Sequence, residues 1–202
     1  MKLDLELDDS LDDLIESFQQ APEKVDLATR RALKKLSRFA ERRTLRALAR
    51  QQGITQKQLK ELGRVKVSLL NPGERGSDGY RLVIWIGASD LPAHYLGKPR
   101  QTKSGVKTGK HFWKGAFLMQ PVNAPRPMVF RRKDDWQHRY QRSRKSGRMM
   151  WMGLPLDKQA LPMLQNAIQV LEKLKPLLLE RFATLMRQEL NFLLSEAINI
   201  ES

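Results

Sequence analysis

Apolar residues recur every third or fourth position near both ends of this chain and every second position in its middle. A fold for it must therefore join helices from both ends to a β-rich centre. Between 22 and 52, Val25, Ala28, Ala32, Leu36, Phe39, Ala40 and Ala47 keep helical spacing, and the opposite face carries Arg30, Arg31, Lys34, Lys35, Arg38, Arg42, Arg46 and Arg50. Pro22 suits the first turn and Gly53 the stop. Near the C-terminus, Leu164, Ala167, Ile168, Leu171 and Leu174 make one stripe, and Leu178, Phe182, Leu185, Met186, Leu190, Leu193, Leu194 and Ala197 another. Pro176 lies between them, so the spacing predicts one kinked helix or two in sequence. The second stripe is wide enough to bury more than one face, part of it against another subunit.

In the middle, Val65, Val67 and Leu69 alternate with polar residues, and Leu82, Ile84 and Ile86 alternate with Val83 and Trp85. Turn residues between the runs predict an antiparallel hairpin. Residues 88–115, broken by Leu91-Pro92, Lys98-Pro99 and several glycines, read as a long basic loop, of a length that usually carries function. Residues 116–120 and 128–132 read as short strands, 133–147 as a polar loop and 148–153 as a last strand. Upstream, Ser10 and Asp13 cap a short acidic helix through Leu11, Leu14, Ile15 and Phe18, and Thr55 caps another at 56–62.

The expected fold is α+β, with a small, mostly antiparallel sheet packed with the long basic N-terminal helix and the long C-terminal helices. The 202 residues are expected to form one domain. Its parts are an acidic helical extension (1–21), a helical segment (22–62), a β-rich segment with basic loops (64–153) and C-terminal helices (157–198).

Composition enters through what it excludes. There is no cysteine, which removes disulfide scaffolds, thiolate metal sites and thiol nucleophiles. No run of about 18 apolar residues exists to span a membrane, and the first ten residues lack the basic and apolar parts of a signal peptide. His94, His111 and His138 stand apart, without metal-ligand spacing. His94, beside Tyr95 in a turn, reads as a surface residue, and Asp134-Asp135, flanked by Arg131, Arg132 and Lys133, as salt-bridged surface acids. The acids at 8, 9, 12 and 13 lack the glycine and terminal glutamate of a calcium loop. Lys103 to Lys110 does not meet the order of a phosphate-binding loop. No catalytic residue, cofactor site or metal site is expected.

The formal charge is +15, unevenly spread. Residues 1–26 hold nine acids and two basics, 27–53 nine basics and one acid, and 98–153 fifteen basics and two acids. Such fields bind polyanions or steer acidic partners. The residues expected to make partner or DNA contact are Arg31, Lys35, Arg38 and Arg42 on the long helix, and Lys103, Lys107, Lys110, Trp113 and Lys114 in the basic loop. Alanines in the helical stripe insert little apolar area, which weighs against a membrane-surface helix. Aromatics interleave with basics at 111–114 and 136–140, a mixture that serves single-stranded nucleic acid and protein interfaces alike.

The order of elements carries a resemblance. A basic helix opens with Leu27-Ala-Thr-Arg-Arg-Ala-Leu-Lys-Lys35, then come a short helix, a hairpin, Asp90-Leu-Pro92 and Leu96-Gly97. After the basic loop follow Gly115-Ala-Phe-Leu-Met-Gln120, Met128-Val-Phe-Arg-Arg132, Gly153-Leu-Pro-Leu156 and a helix holding Leu174-Lys-Pro176. From about residue 25 to 195 this resembles the minor tail protein Z family of lambdoid phages and prophages, small basic tail-completion proteins. The acidic first twenty residues depart from that pattern. The resemblance implies a structural, non-enzymatic protein of the virion tail, present in the host cytoplasm before assembly. It implies tail or neck partners, namely the tail tube and tail terminator, and a homo-oligomer on assembly, a ring being the common form of related proteins. It also implies basic loops able to make non-specific contact with DNA, and no membrane. The competing reading is a nucleic-acid-binding basic protein, a prophage regulator or DNA-packaging accessory.

Overall fold

The computed structural model of the chain describes residues 2–4, 22–133, 139–144, 146–152 and 156–200. The expected α+β class is observed, with several small antiparallel sheets rather than one. The chain forms two compact units, one from residues up to 88 together with those from 163 onward, the other from 89–162. The boundaries thus differ from those read in the sequence, since the hairpin belongs with the helices.

The first unit is built on two long helices, α1 (Pro22–Gln52) and, near the C-terminus, α3 (Leu164–Ile200). Ala28, Ala32, Leu36, Ala40, Thr44, Leu48 and Gln52 are all buried, a straight row of every fourth residue. On α3 the matching row is Val170, Leu174, Leu178, Phe182, Met186 and Leu190. Rows at this spacing are the ridges by which helices interlock, and the two helices pack against each other. Small alanines on α1 admit the large side chains of α3 closely. Phe39 and Ala47, expected in the buried stripe, are only half-buried, while Leu33, Leu45 and Leu48 take core positions. The buried row follows the ridge rather than an averaged face.

Pro176 sits inside α3, and the helix runs through it as one element. Proline offers no N–H to the carbonyl four residues back, and interrupting a helix this way costs about 3 kcal/mol. Leu174 and Leu178, on either side of it, are buried, and that packing holds the helix together across the break.

Gly53 (φ 64°) ends α1. Thr55 then caps α2 (Gln56–Glu61) with a reciprocal pair of bonds: the Gln58 backbone N–H donates to Thr55 Oγ1 at 3.2 Å, and the Thr55 N–H donates to Gln58 Oε1 at 2.9 Å. The hairpin follows as expected. Strands β2 (Val65–Leu70) and β3 (Arg81–Ile86) pair antiparallel, with β1 (Lys2–Asp4) on the other edge of β3. Leu82, Ile84 and Ile86 are buried, and the sheet lies against α1. Residues 2–4 were expected to belong to a helical extension and are a strand instead. The expected acidic helix at 10–18 lies outside the described residues.

The second unit corrects the expected loop at 88–115. Strand β4 (Leu91–Pro92) leads to a single 3₁₀ turn, 93–95, and then a meander of β5 (Arg100–Thr102), β6 (Gly105–Thr108) and β7 (His111–Lys114). The clusters read as loop punctuation hold its two-residue hairpin turns, Lys103-Ser104 and Gly109-Lys110, and Gly109 opens the second with a positive φ (58°). Strands of three or four residues leave too short a run to show a period of two.

A second sheet, ordered β12-β9-β8, joins β8 (Ala116–Met119), β9 (Met128–Arg132) and β12 (Leu156–Lys158). A ribbon pairs β10 (Arg139–Arg142) with β11 (Met149–Met152), so part of the expected loop at 133–147 is strand. The strand at 148–153 is not the last: β12 and β13 (Ala160–Leu161) follow, β13 pairing with β4, and the C-terminal helix begins at 164 rather than 157. The core of this unit is small: Ala93, Val106, Ala116 and Val129, with Trp113 and Leu118 against it. Gln101 ties the meander to β8 by accepting the Leu118 N–H at 2.8 Å and donating to the Gly105 carbonyl at 3.2 Å.

Candidate docking surfaces

Catalytic chemistry needs titratable groups brought together. Among the described residues no group of three or more His, Asp or Glu side chains could hold a metal ion, and no helix is long and apolar enough to cross a membrane. His94 was expected at the surface and is buried. The 3₁₀ turn directs it inward with Ala93 and leaves Tyr95 exposed. Burial, with Lys158 and Arg126 adding to it, holds its imidazole below the usual histidine value. A base needs an acceptor nitrogen aimed at a substrate. His94 Nδ1 is enclosed without a hydrogen-bond partner, which describes a core histidine kept neutral. His138, Trp136, Asp134, Asp135 and the acids at 8–13 lie outside the described residues.

The four helix cations do not act alike. Arg31 is half-buried, its guanidinium 5.9 Å from the Phe192 ring. Lys35 forms an ion pair with Glu189, a buried carboxylate of α3. These two fasten α1 to α3. Arg38 and Arg42 are exposed, and Arg42 Nε donates to the Arg38 carbonyl at 3.2 Å. Between α1 and α3 a further groove of about 580 Å³ is lined by Arg43, Arg46 and Arg50 on one side and by Val170, Lys173, Leu174 and Leu177 on the other.

The meander brings most of the other named residues together. Pairing sets Arg100 opposite Lys107 and Lys107 opposite Phe112; in the next rows Val106 faces Trp113 and Gly105 faces Lys114. Alternation then sorts the side chains. Val106, Thr108 and Trp113 turn inward, and the Trp113 Nε1–H donates to Thr108 Oγ1 at 2.7 Å. Trp113, expected as an interface residue, is therefore half-buried against the core of its unit. Arg100, Lys107, Phe112 and Lys114 share the outer face, all exposed, and Lys103 and Lys110 sit in the two turns. With neighbouring strands about 4.8 Å apart and about 3.4 Å per residue along a strand, Arg100, Lys107 and Lys114 stand within about 10 Å of Phe112. No carboxylate occurs on the three strands.

Arg100 and Phe112 were missed as contact residues because a loop has no faces. Reading Lys103-Ser104 and Gly109-Lys110 as hairpin turns would have found them. A third basic surface lies on the outer face of the hairpin sheet, where Lys66, Arg75 and Arg81 surround Trp85, with the Lys66 ammonium 5.8 Å from the indole ring.

No protein-family model, curated protein or solved structure matches the chain.

Proposed function

We propose that the chain is a structural, non-enzymatic protein of a phage or prophage tail, acting in tail completion or head–tail joining by docking onto acidic faces of tail or neck proteins. The observation that carries this reading is the outer face of the β5–β6–β7 meander, where Phe112 stands half exposed among Arg100, Lys107 and Lys114. Fully burying such a ring in a partner is worth about 1.5–3 kcal/mol, and cations around it steer an acidic surface into register. The resemblance to the minor tail protein Z family supports the class of partner, the tail tube or tail terminator, and assembly as a homo-oligomer. It also supports the place of action, the virion tail after synthesis in the host cytoplasm.

The same face supports the competing reading. A base stacking on Phe112 between phosphate-binding cations is the chemistry of a single-strand binder. Binding measured against the tail tube and tail terminator proteins of the same genome, and against single- and double-stranded DNA, separates the two. The tail reading expects binding to a tail protein that weakens about tenfold in Phe112→Ala. Tight DNA binding with a steep loss in salt, and no binding to a tail or neck protein, would overturn it.

A further inference from the structure

Strands β10 and β11 form a two-stranded ribbon that is open on both faces. Pairing sets Arg142 opposite Met149 and Gln141 opposite Met150. Alternation then puts Tyr140, Arg142 and Met149 on one face and Gln141 and Met150 on the other. All five are exposed, with Tyr140, Met149 and Met150 each about half exposed. The Ser143 N–H donates to the Arg148 carbonyl at 2.8 Å, which extends the pairing by one row and sets Arg148 on the face of Met150. Arg144 lies in the turn between the strands. Cations thus stand on both faces and at the tip, and residues 136–156 contain no carboxylate.

A two-stranded ribbon alone is marginal in water, yet this tip is held. The Arg142 Nε–H donates to the Gly147 carbonyl at 2.7 Å, and the Gly147 N–H to the Ser143 carbonyl at 2.9 Å. A turn held in advance costs less to order on a partner. The layout of charge decides which partner. A protein face would cover one side of the ribbon and leave the cation on the other side in water. The major groove of duplex DNA is walled by phosphates on both sides. At about 12 Å wide and about 8.5 Å deep, it admits a two-stranded ribbon.

We propose that the β10–β11 ribbon enters the major groove of duplex DNA. Arg142 meets one phosphate wall, Arg148 the other, and Arg144 leads at the tip. Phosphate contacts carry no sequence information, so the binding has no preferred sequence. The inference goes beyond the tail-docking reading, since it concerns another element and a nucleic acid rather than an acidic protein, and either can fail alone. A duplex partner also separates it from a single strand stacked on Phe112.

Fluorescence anisotropy of a short labelled duplex, titrated with the full chain over a range of salt, tests it. The wild type is expected to bind. Arg144→Gln/Arg148→Gln is expected to weaken binding about tenfold or more, equally for duplexes of different sequence. It is also expected to reduce the slope of log K against log salt by about two, since each phosphate contact contributes about 0.9. Lys60→Gln/Arg187→Gln removes the same charge from exposed positions of the first unit and is expected to leave the slope unchanged. A labelled single strand is expected to lose far less affinity than the duplex. A wild type that does not bind duplex, a ribbon variant with the wild-type slope, the same fall in the control variant, or the same loss on single strand would each overturn the proposal. A ribbon variant that keeps duplex binding and loses a tail or neck protein would overturn it too, and would assign the ribbon to protein docking.

Discussion

At the residue scale, His94 is the clearest case of a side chain whose environment sets its behaviour. Its imidazole is buried with Nδ1 unpartnered, and Lys158 and Arg126 add to the cost of charging it. The folded chain therefore takes up this proton less readily than the unfolded chain, whose histidine has its ordinary value of about 6.5. Where the unfolded state binds more protons, stability rises with pH. His94 is thus expected to contribute full stability above about pH 6.5, with stability lost as pH falls below that value. Urea unfolding of the wild type, followed from pH 7.5 to 5, should show a falling midpoint. His94→Leu, which has nothing to protonate there, should flatten that part of the fall. An unchanged slope would assign the pH dependence to other groups. Spacing did not reveal this burial, because a single 3₁₀ turn has no repeat by which to tell its inner side from its outer. Lys35 shows the converse. As a lysine on a basic helix it reads as a contact residue, yet its partner Glu189 lies 154 positions away in the sequence, a distance no local pattern spans.

At the element scale, the long elements were legible and the short ones were not. Helix α1, the capped helix α2 and the β2–β3 hairpin lie where spacing and turn chemistry put them. Each is six residues or more, long enough to show its period. The meander strands are three or four residues, too short to repeat a pattern. What defines the meander is a backbone approach rather than a hydrophobic run. A Cβ built on Gly105 would lie 2.2 Å from the Trp113 carbonyl oxygen and 3.1 Å from the Lys114 Cα, both backbone atoms of β7. Gly105→Ala must therefore push β6 away from β7. The substitution is expected to cost about 2 kcal/mol or more, read as a lowered melting temperature. It should also shift the emission of Trp113, which packs beside the strand. Melting and emission equal to the wild type would show that the close approach is not needed.

At the scale of the whole molecule, the positive charge divides between the two units, and each unit uses it differently. In the first, Arg31 and Lys35 bind α1 to α3 and leave the cations of the groove to face outward. In the second, the meander gathers cations around Phe112 on one face. The uneven charge was legible in the sequence, as were the α+β class and the exposed lysines at 103, 107, 110 and 114. The face they share was not, since strand pairing alone sets Arg100, Lys107 and Phe112 in one row. Nor was the division into units, because the hairpin packs on α1, a helix that precedes it in the chain.

The central claim is that these basic faces serve assembly of a tail. Its most direct measurement is head–tail joining in vitro, with tails assembled in a host that lacks this chain and scored by electron microscopy as joined particles. Such tails are expected to stay unjoined, wild-type protein to restore joining, and Lys107→Glu/Phe112→Ala protein, folded by circular dichroism, to restore little of it. Tails that join heads equally well without the chain would contradict the account.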